Sequence, residues 1–146
     1  MTDAPVITID GPSGSGKGTI SQQLASSLGW HFLDSGAIYR ALAYAVEQAG
    51  LSVDVNKQQI EKLARELKLS FRPSADGGAE VLLDNVNITA FIRTEECGAM
   101  ASILASDGDI RAALLQRQRD FRKSPGLIAD GRDMGTVVFP DATHKI

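Results

Sequence analysis

The sequence predicts an α/β fold in which a mainly parallel sheet is flanked by helices. Short β-branched runs alternate with longer segments whose apolar residues recur at helical spacing, the order that strands and crossover helices produce. A stretch near the middle instead indicates a small antiparallel β insertion. The chain has 146 residues, 43% of them hydrophobic and 23% charged. It can therefore bury one core, and we expect a single domain over residues 1–146.

The first part of the chain is predicted to form two strand–helix units. Residues 6–10 are a β-branched strand, and the helix that follows begins near Gly16 and ends at a capping Gly29. Residues 30–33 form the second strand, and residues 34–36 open a helix that ends near Gly50. Apolar residues at helical spacing mark both helices: Ile20, Leu24, Leu28, then Ile38, Leu42, Ala45 and Val46.

The pattern changes in the middle of the chain. A helix over residues 56–67 precedes two short apolar runs, 69–71 and 81–83, which flank a turn-forming cluster at 74–78. This arrangement predicts a hairpin. Val86 and Ile88 could add a third short strand. We place this insertion at about residues 54–106.

Two helices and a third core strand are predicted next. Thr94 starts one helix, and a basic-faced helix over 109–123 follows it. Residues 127–130 form the strand. We interpret Arg117, Arg119 and Arg122 as a solvated face. Residues 143–146 resemble the start of a fourth strand, so we expect the chain to lack a carboxyl-terminal part of the fold.

Composition argues against several classes of function. No apolar run approaches the roughly 20 residues of a membrane span, and residues 1–4 lack the features of a secretion signal. A net charge of −3 argues against nucleic-acid binding, which needs a strongly basic face. Cys97 is the only cysteine, and we interpret it as a small buried residue. We expect a cytoplasmic monomer with no membrane or nucleic-acid partner.

Residues 11–17 read Gly-Pro-Ser-Gly-Ser-Gly-Lys, the spacing of a phosphate-binding P-loop. Glycines let main-chain N–H groups approach phosphate oxygens, the following helix N-terminus attracts anions, and Lys17 adds a full positive charge. The strict motif has Ser or Thr directly after the lysine, whereas Gly18 intervenes here. The alternative is a glycine-rich turn with no ligand. The ATP-binding residues predicted by this motif are Gly11, Pro12, Ser13, Gly14, Ser15, Gly16, Lys17, Gly18 and Thr19.

Three stretches resemble the cytidylate kinases, a family of nucleoside monophosphate kinases. They are Gly-Ser-Gly-Lys-Gly-Thr at 14–19, Asp-Ser-Gly-Ala-Ile-Tyr-Arg at 34–40 and Asp-Gly-Arg-Asp-Met-Gly-Thr at 130–136. The resemblance extends over the whole chain and implies a P-loop NTPase-type fold. It also implies phosphoryl transfer from ATP to CMP or dCMP with Mg²⁺, in pyrimidine nucleotide metabolism. The family's arginine-rich lid lies beyond residue 146, which implies strongly reduced turnover for this chain alone.

The resemblance also implies a site for the acceptor nucleotide. Planar guanidinium groups pair bidentately with a monophosphate, and Arg132 is implied to act in catalysis beside Lys17. Asp133 can accept a hydrogen bond from the amino group of cytosine, where uracil presents a carbonyl. The arginines could instead be surface residues, Ser35 a helix cap and Ser102 a tolerated serine. The implied CMP-binding residues are Ser35, Arg40, Ser102, Arg111, Arg132 and Asp133.

Asp130 ends the third core strand, which is expected beside the P-loop strand. It resembles an acid that orients Mg²⁺ together with Thr19, directly or through water. A carboxylate that caps a helix or a turn is the alternative. Two rival functions stay open: a P-loop ATPase that needs no CMP, and a nucleotide-binding module without catalysis.

Overall fold

The computed structural model describes residues 4–11, 17–74 and 79–146, and it describes Lys17 through its main chain alone. The described α-helices are α1 (Lys17–Leu28), α2 (Ser35–Gln48), α3 (Lys57–Arg65), α4 (Glu95–Ala105) and α5 (Gly108–Arg119), and a short 3-10 helix spans Phe91–Arg93. The described strands are β1 (Val6–Asp10), β2 (His31–Asp34), β3 (Leu69–Pro73), β4 (Ala79–Leu83), β5 (Val86–Asn87), β6 (Leu127–Gly131) and β7 (His144–Lys145).

Internal contacts divide the chain into two compact units. Unit 1 comprises Met1–Ser35, Phe71–Glu80 and Gln118–Ile146. Unit 2 comprises Gly36–Ser70 and Val81–Arg117. No helix in the described ranges is long and apolar enough to cross a membrane.

The main sheet lies in unit 1 and has the strand order β2-β6-β1-β7. Each neighbouring pair is parallel, which confirms the predicted α/β class. The start of the fourth strand is confirmed as well, because His144 and Lys145 pair with Ile7 and Thr8. The ladder continues to Ile146, whose N–H donates to the Thr8 carbonyl at 2.8 Å.

A cluster of apolar side chains forms the core beneath this sheet. It contains Ile9, Ala25, Phe32 and Ile128, and the Phe71 ring meets Phe32 edge-on at a centroid distance of 5.6 Å. Strands buried in this way read as short apolar runs in the sequence. That explains why β1, β2 and β6 were predicted to within one residue.

The three apolar residues that mark helix α1 in the sequence do not all face the core. Leu24 packs on the core, but Ile20 is 61% exposed and Leu28 is 44% exposed. Residues four apart drift by about 40° per step around a helix of 3.6 residues per turn, so this row leaves the buried side. Ser21 and Ala25 are buried instead.

Unit 2 contains most of the buried side chains of helices α2 to α5. The predicted face of α2 is confirmed, and α3 is shorter than predicted because it ends at Arg65. Unit 2 side chains exposed by 1% or less are Ile38, Ala41, Leu42, Val46, Ile60, Ala64, Ile88, Leu104, Ile110 and Leu114.

The small sheet has the order β3-β4-β5, which confirms the predicted β insertion and its third strand. Strands β4 and β5 are antiparallel, with Leu83 opposite Val86. The two residues between them, Asp84 and Asn85, have φ values of 51° and 67°, as in the tightest hairpin turns. The turn predicted at 74–78 lies largely outside the described residues. The insertion limits 54–106 stay a prediction.

Helix α4 begins as predicted, since the Thr94 hydroxyl accepts a hydrogen bond from the Cys97 N–H at 3.1 Å. Helix α5 corrects the prediction, because it ends at Arg119 and not at residue 123. Asp107 caps its start by accepting from the N–H groups of Asp109 and Ile110 at 2.9 and 3.2 Å.

The prediction of a solvated arginine face is corrected, because Arg117 and Arg122 are half-buried while Arg119 is exposed. Each of the three side chains donates a hydrogen bond to a main-chain carbonyl. Arg117 Nε reaches Leu67 at 2.6 Å, Arg119 Nε reaches Val138 at 3.0 Å, and Arg122 Nε reaches Ala4 at 2.7 Å. A guanidinium on a long stem can satisfy carbonyls that no helix or strand pairs. Helical periodicity does not reveal such contacts.

Candidate functional site

Three aspartates lie at or next to the carboxyl ends of neighbouring strands, at the same edge of the main sheet. Asp34 of β2 lies opposite Asp130 of β6, and Asp10 of β1 lies opposite Gly131. In open parallel sheets, ligands bind outside the carboxyl ends of the strands. The three carboxylates therefore lie at the edge of the sheet where this architecture binds ligands.

The P-loop is described at its two ends. Gly11 donates its N–H to the Gly131 carbonyl at 3.2 Å, and α1 begins at Lys17. Pro12, Ser13, Gly14, Ser15 and Gly16 lie outside the described residues, as does the Lys17 side chain. Strand β1 before the loop and helix α1 after it are the structural context that the motif requires.

Asp130 lies against the first turn of α1. Its side chain is buried, and Oδ2 lies 3.7 Å from the point where a Cβ would stand on Gly18. Thr19, the next residue, is exposed. A carboxylate at a helix N-terminus is stabilised by the helix dipole. Asp130 is thus beside the end of the P-loop, as its proposed role requires.

The described side chains limit the kind of metal site that the protein can form. Within residues 4–11, 17–74 and 79–146, no group of three or more His, Cys, Asp or Glu side chains could hold a metal ion. Mg²⁺ in phosphoryl-transfer sites uses one or two carboxylates together with phosphate oxygens and waters. Asp130 with Thr19 fits a site of that kind, which a nucleotide completes. Their ligation of Mg²⁺ stays a prediction.

Ser35 is packed tightly on β6 at the start of α2. It is buried, and a Cβ on Gly131 would lie only 2.6 Å from the Ser35 Cβ. Glycine at 131 therefore allows α2 to begin directly against the strand. Ser35 is the first residue of the helix, and its contact with a nucleotide stays a prediction.

Arg132 and Asp133 follow β6, and both are exposed. Asp133 has the left-handed conformation, with φ 60° and ψ 22°, and begins a π-helical turn at Met134–Val138. Its carbonyl accepts hydrogen bonds from the N–H groups of Val137 at 2.9 Å and Val138 at 3.1 Å. Sequence periodicity did not predict this turn. Such turns are rare and frequently occur at functional sites.

Arg40 lies in unit 2, where its guanidinium is held against the start of α4. Nη1 donates to the carbonyls of Ile92 at 2.6 Å and Thr94 at 3.4 Å. A Cβ on Gly98 would lie 2.8 Å from Nη2 and 3.3 Å from Cζ. The guanidinium therefore occupies the space that a side chain at residue 98 would need. Gly98 was not identified from the sequence.

Cys97 is buried beside this guanidinium, as predicted. Its Sγ donates to the main-chain carbonyl of Arg40 at 3.3 Å. Burial raises the pKa of the thiol, and the charge of Arg40 acts in the opposite direction. The thiol therefore stays protonated and contributes to packing.

Arg111 and Ser102 are also in unit 2. Ser102 is exposed on α4, and Arg111 is exposed on α5. Burial raises the pKa of the Tyr39 hydroxyl, while the charge of Arg111 and its hydrogen bond to Tyr39 act to lower that pKa. Tyr39 precedes Arg40 on α2, so Arg111 contacts the residue next to Arg40.

The predicted site residues are thus divided between the two units. Those in unit 1 are Gly11, Pro12, Ser13, Gly14, Ser15, Gly16, Lys17, Gly18, Thr19, Ser35, Asp130, Arg132 and Asp133, whereas Arg40, Ser102 and Arg111 are in unit 2. The roles assigned to these residues stay predictions.

Comparison with known proteins identifies the family. A family model described as cytidylate kinase matches residues 7–146. The cytidylate kinase of Marinomonas sp. (strain MWYL1) is 55% identical over 146 residues, which are 100% of this chain and 64% of that protein. The cytidylate kinase of Colwellia psychrerythraea is 56% identical over 142 residues, 97% of this chain and 62% of that protein. The cytidylate kinase of Nitrosococcus oceani is 54% identical over 145 residues, which are 99% of this chain and 63% of that protein.

The chain spans less than two thirds of the length of these relatives. The family match nevertheless covers almost all of its residues. The chain belongs to the cytidylate kinase family.

Proposed function

We propose that the protein transfers the γ-phosphoryl group of ATP to CMP or dCMP, giving ADP and CDP or dCDP. The observation that carries this proposal is the buried Asp130 carboxylate beside Gly18, at the end of a P-loop. In a chain of this family, an acid beside the P-loop supports the proposal, because phosphoryl transfer uses an acid that holds Mg²⁺ near the donor phosphates.

In the proposed reaction, an oxygen of the acceptor phosphate attacks the γ-phosphorus of ATP in line. The bond to the β-phosphate oxygen breaks, and no covalent enzyme intermediate forms. The protein accelerates this step by positioning the reactants and by neutralising charge on the transferring group. Main-chain N–H groups of the P-loop and the Lys17 ammonium provide that neutralisation. Asp130 and Thr19 would hold Mg²⁺, directly or through water. When it is bound, the charge of Mg²⁺ would offset the negative charge of the phosphates.

The acceptor is proposed to bind through its phosphate and its base. Arg40 and Arg132 pair with the phosphate, which carries close to two negative charges. Asp133 accepts a hydrogen bond from the cytosine amino group. Arg111 and Ser102 are further contacts to the base, and Ser35 orients the nucleotide. The hydrogen bonds from Arg40 to Ile92 and Thr94 support this role, because they restrict the guanidinium before a ligand arrives.

We further propose one monomeric, cytoplasmic nucleoside monophosphate kinase domain, with the insertion at residues 54–106. Size-exclusion chromatography with light scattering tests the monomer.

A substrate panel tests the function. The enzyme is a chimera in which this chain replaces the segment that it matches in the Marinomonas relative, and that relative is the positive control. With ATP and Mg²⁺, we expect rapid transfer to CMP and dCMP. Transfer to UMP, AMP or GMP is expected to have a kcat/KM lower by about a hundredfold or more. A coupled assay of ADP release measures the rates.

Two outcomes of this panel contradict the proposal. ADP release that needs no acceptor indicates an ATPase. CMP binding without transfer, measured by calorimetry in a chimera whose positive control is active, indicates a non-catalytic nucleotide-binding module.

Gly98→Ala tests the placement of Arg40. The added Cβ would collide with the guanidinium, so we expect the Kd for CMP to rise about tenfold, as for loss of one charged hydrogen bond. Helix propensity favours alanine over glycine by about 1 kcal/mol, so the melting temperature should not fall. Calorimetry and thermal unfolding measure the two effects. Gly108→Ala is the matched control, because its Cβ would meet nothing within 4 Å. Equal CMP affinities in both variants would contradict the assigned contact.

A further inference from the structure

The carboxylate of Asp10 joins the strand before the P-loop to the turn after Asp133. Oδ1 accepts the N–H of Met134 at 2.7 Å, and Oδ2 accepts the N–H of Gly135 at 3.0 Å. Each carboxylate oxygen therefore accepts from one of two consecutive main-chain N–H groups, which lie more than 120 residues away in sequence. Hydrogen bonds from N–H groups to a carboxylate are stronger than neutral ones, and a bidentate pair also restricts orientation.

These two N–H groups lie at the start of a helical turn, where main-chain donors have no acceptor within the helix itself. An aspartate at the preceding position ordinarily accepts the N–H of the second or third residue of the turn with its own side chain. Asp133 occupies that position, but its side chain makes no capping hydrogen bond in the described structure. Asp10 supplies the cap from another strand, and the Asp133 carboxylate is not used for it.

The conformation of Asp133 requires such support. Its φ of 60° is in the left-handed region, which aspartate tolerates better than most residues but which still costs backbone energy that contacts around the turn offset. The turn is also packed closely on β1. A Cβ on Gly135 would lie 2.8 Å from the Thr8 Oγ1 and 3.1 Å from carbons of Lys145.

Asp10 is itself held firmly. Its N–H donates to the Ile146 carbonyl at 3.2 Å, and the next residue, Gly11, donates to the Gly131 carbonyl at 3.2 Å. The residue directly before the P-loop thus fixes the turn that presents Arg132 and Asp133.

We propose that Asp10 is a positioning residue for recognition of the acceptor base. It acts through the N–H groups of Met134 and Gly135, which set the backbone of Asp133 and free the Asp133 carboxylate for cytosine. This inference rests on the proposed function. It assigns a role in acceptor specificity to a residue that lies directly before the P-loop, which is proposed to bind the donor ATP.

Asp10→Asn tests the proposal in the chimera described above. The variant keeps the size of the side chain, but an amide has one acceptor oxygen and one NH₂ group, so it can satisfy only one of the two N–H groups. We expect KM for CMP to rise about tenfold to a hundredfold and the CMP-to-UMP ratio of kcat/KM to fall, while KM for ATP changes by less than about twofold. Asp54→Asn, at an exposed aspartate, is the control and should change none of these constants.

Hydrogen exchange gives a readout that needs no substrate. The amides of Met134 and Gly135 should exchange slowly in the unsubstituted protein and at least about tenfold faster in Asp10→Asn. If Asp10→Asn does not fold, Gly135→Ala disturbs the same turn from the β1 side and should change the CMP-to-UMP ratio in the same direction. The inference is overturned if Asp10→Asn raises the KM values for ATP, CMP and UMP alike, or leaves KM for CMP unchanged. An unsubstituted chimera that phosphorylates no nucleotide would overturn the proposed function instead, and unchanged exchange would overturn the positioning role alone.

Discussion

Lys17→Ala is expected to lower kcat for phosphorylation of CMP by about 10³-fold or more, in the range seen when a charge that stabilises a transferring phosphoryl group is removed. Lys17 is the first residue of α1 and the last of the P-loop pattern. The helix N-terminus supplies only about half a positive charge, so loss of the ammonium leaves the developing charge on the γ-phosphate largely uncompensated. A 10³-fold loss corresponds to about 4 kcal/mol of transition-state stabilisation. Single-turnover kinetics in the chimera measure the effect on the chemical step.

The kinetic constant that changes distinguishes Lys17 from a lysine on the surface: the substitution should lower kcat and leave KM for CMP nearly unchanged. KM for CMP should change by less than about threefold, since Lys17 is assigned to the donor and not to the acceptor. Lys123→Ala removes an equal charge from an exposed position in the same unit and should leave kcat unchanged. A kcat for Lys17→Ala within tenfold of the unsubstituted rate would rule out the proposed role of the P-loop.

The centre of the main sheet was predictable because its two central strands, β1 and β6, are largely buried. Such strands consist of apolar, β-branched residues bounded by glycine, proline or aspartate, and β1 and β6 show this pattern. The short β7 was also predicted, because residues 143–146 resemble the start of a strand. In the structure it pairs with β1. The hairpin insertion was equally visible, because two apolar runs flank residues that favour turns.

Features that depend on distant contacts were not predictable. Arg122 was interpreted as solvated, yet it donates to Ala4, 118 residues away. Helix α5 was extended to residue 123 because its helical pattern continues there, whereas the chain turns at Asp120 and Phe121. Helical periodicity contains no information on which carbonyls elsewhere in the chain need a donor.

The candidate site also contains residues that local sequence patterns indicate and residues that depend on distant contacts. Lys17, Arg40 and Arg132 were identified because they belong to motifs with a defined spacing. Asp10 and Gly98 were missed, because one acts through main-chain N–H groups far along the chain and the other through the absence of a side chain. An aspartate directly before a P-loop is a usable signal for a positioning residue, but its partners become apparent only in the fold.

Asp133→Asn is expected to change the base preference of the enzyme without loss of fold. Asparagine tolerates the left-handed conformation that Asp133 adopts, and Met134 and Gly135 remain bonded to Asp10. The chemical change is therefore confined to one oxygen that becomes an NH₂ donor. That donor can bond the carbonyl of uracil, whereas the carboxylate repels it. One base contact is worth about 1–3 kcal/mol, so the CMP-to-UMP ratio of kcat/KM should fall about tenfold to a hundredfold. Competition between CMP and UMP in the coupled assay measures the ratio.

Asp84→Asn is the matched control, because Asp84 is a second exposed aspartate with positive φ, 51°, and it has no assigned part in the site. Both variants should unfold within about 2 °C of the unsubstituted protein, since asparagine is compatible with both conformations. Only Asp133→Asn should then change the base preference. A fall in the rates with CMP and UMP by the same factor would show that Asp133 supports the turn and does not read the base. An unchanged ratio with full activity would instead place recognition of the cytosine amino group on other residues, of which Ser102 and Arg111 are the next to substitute.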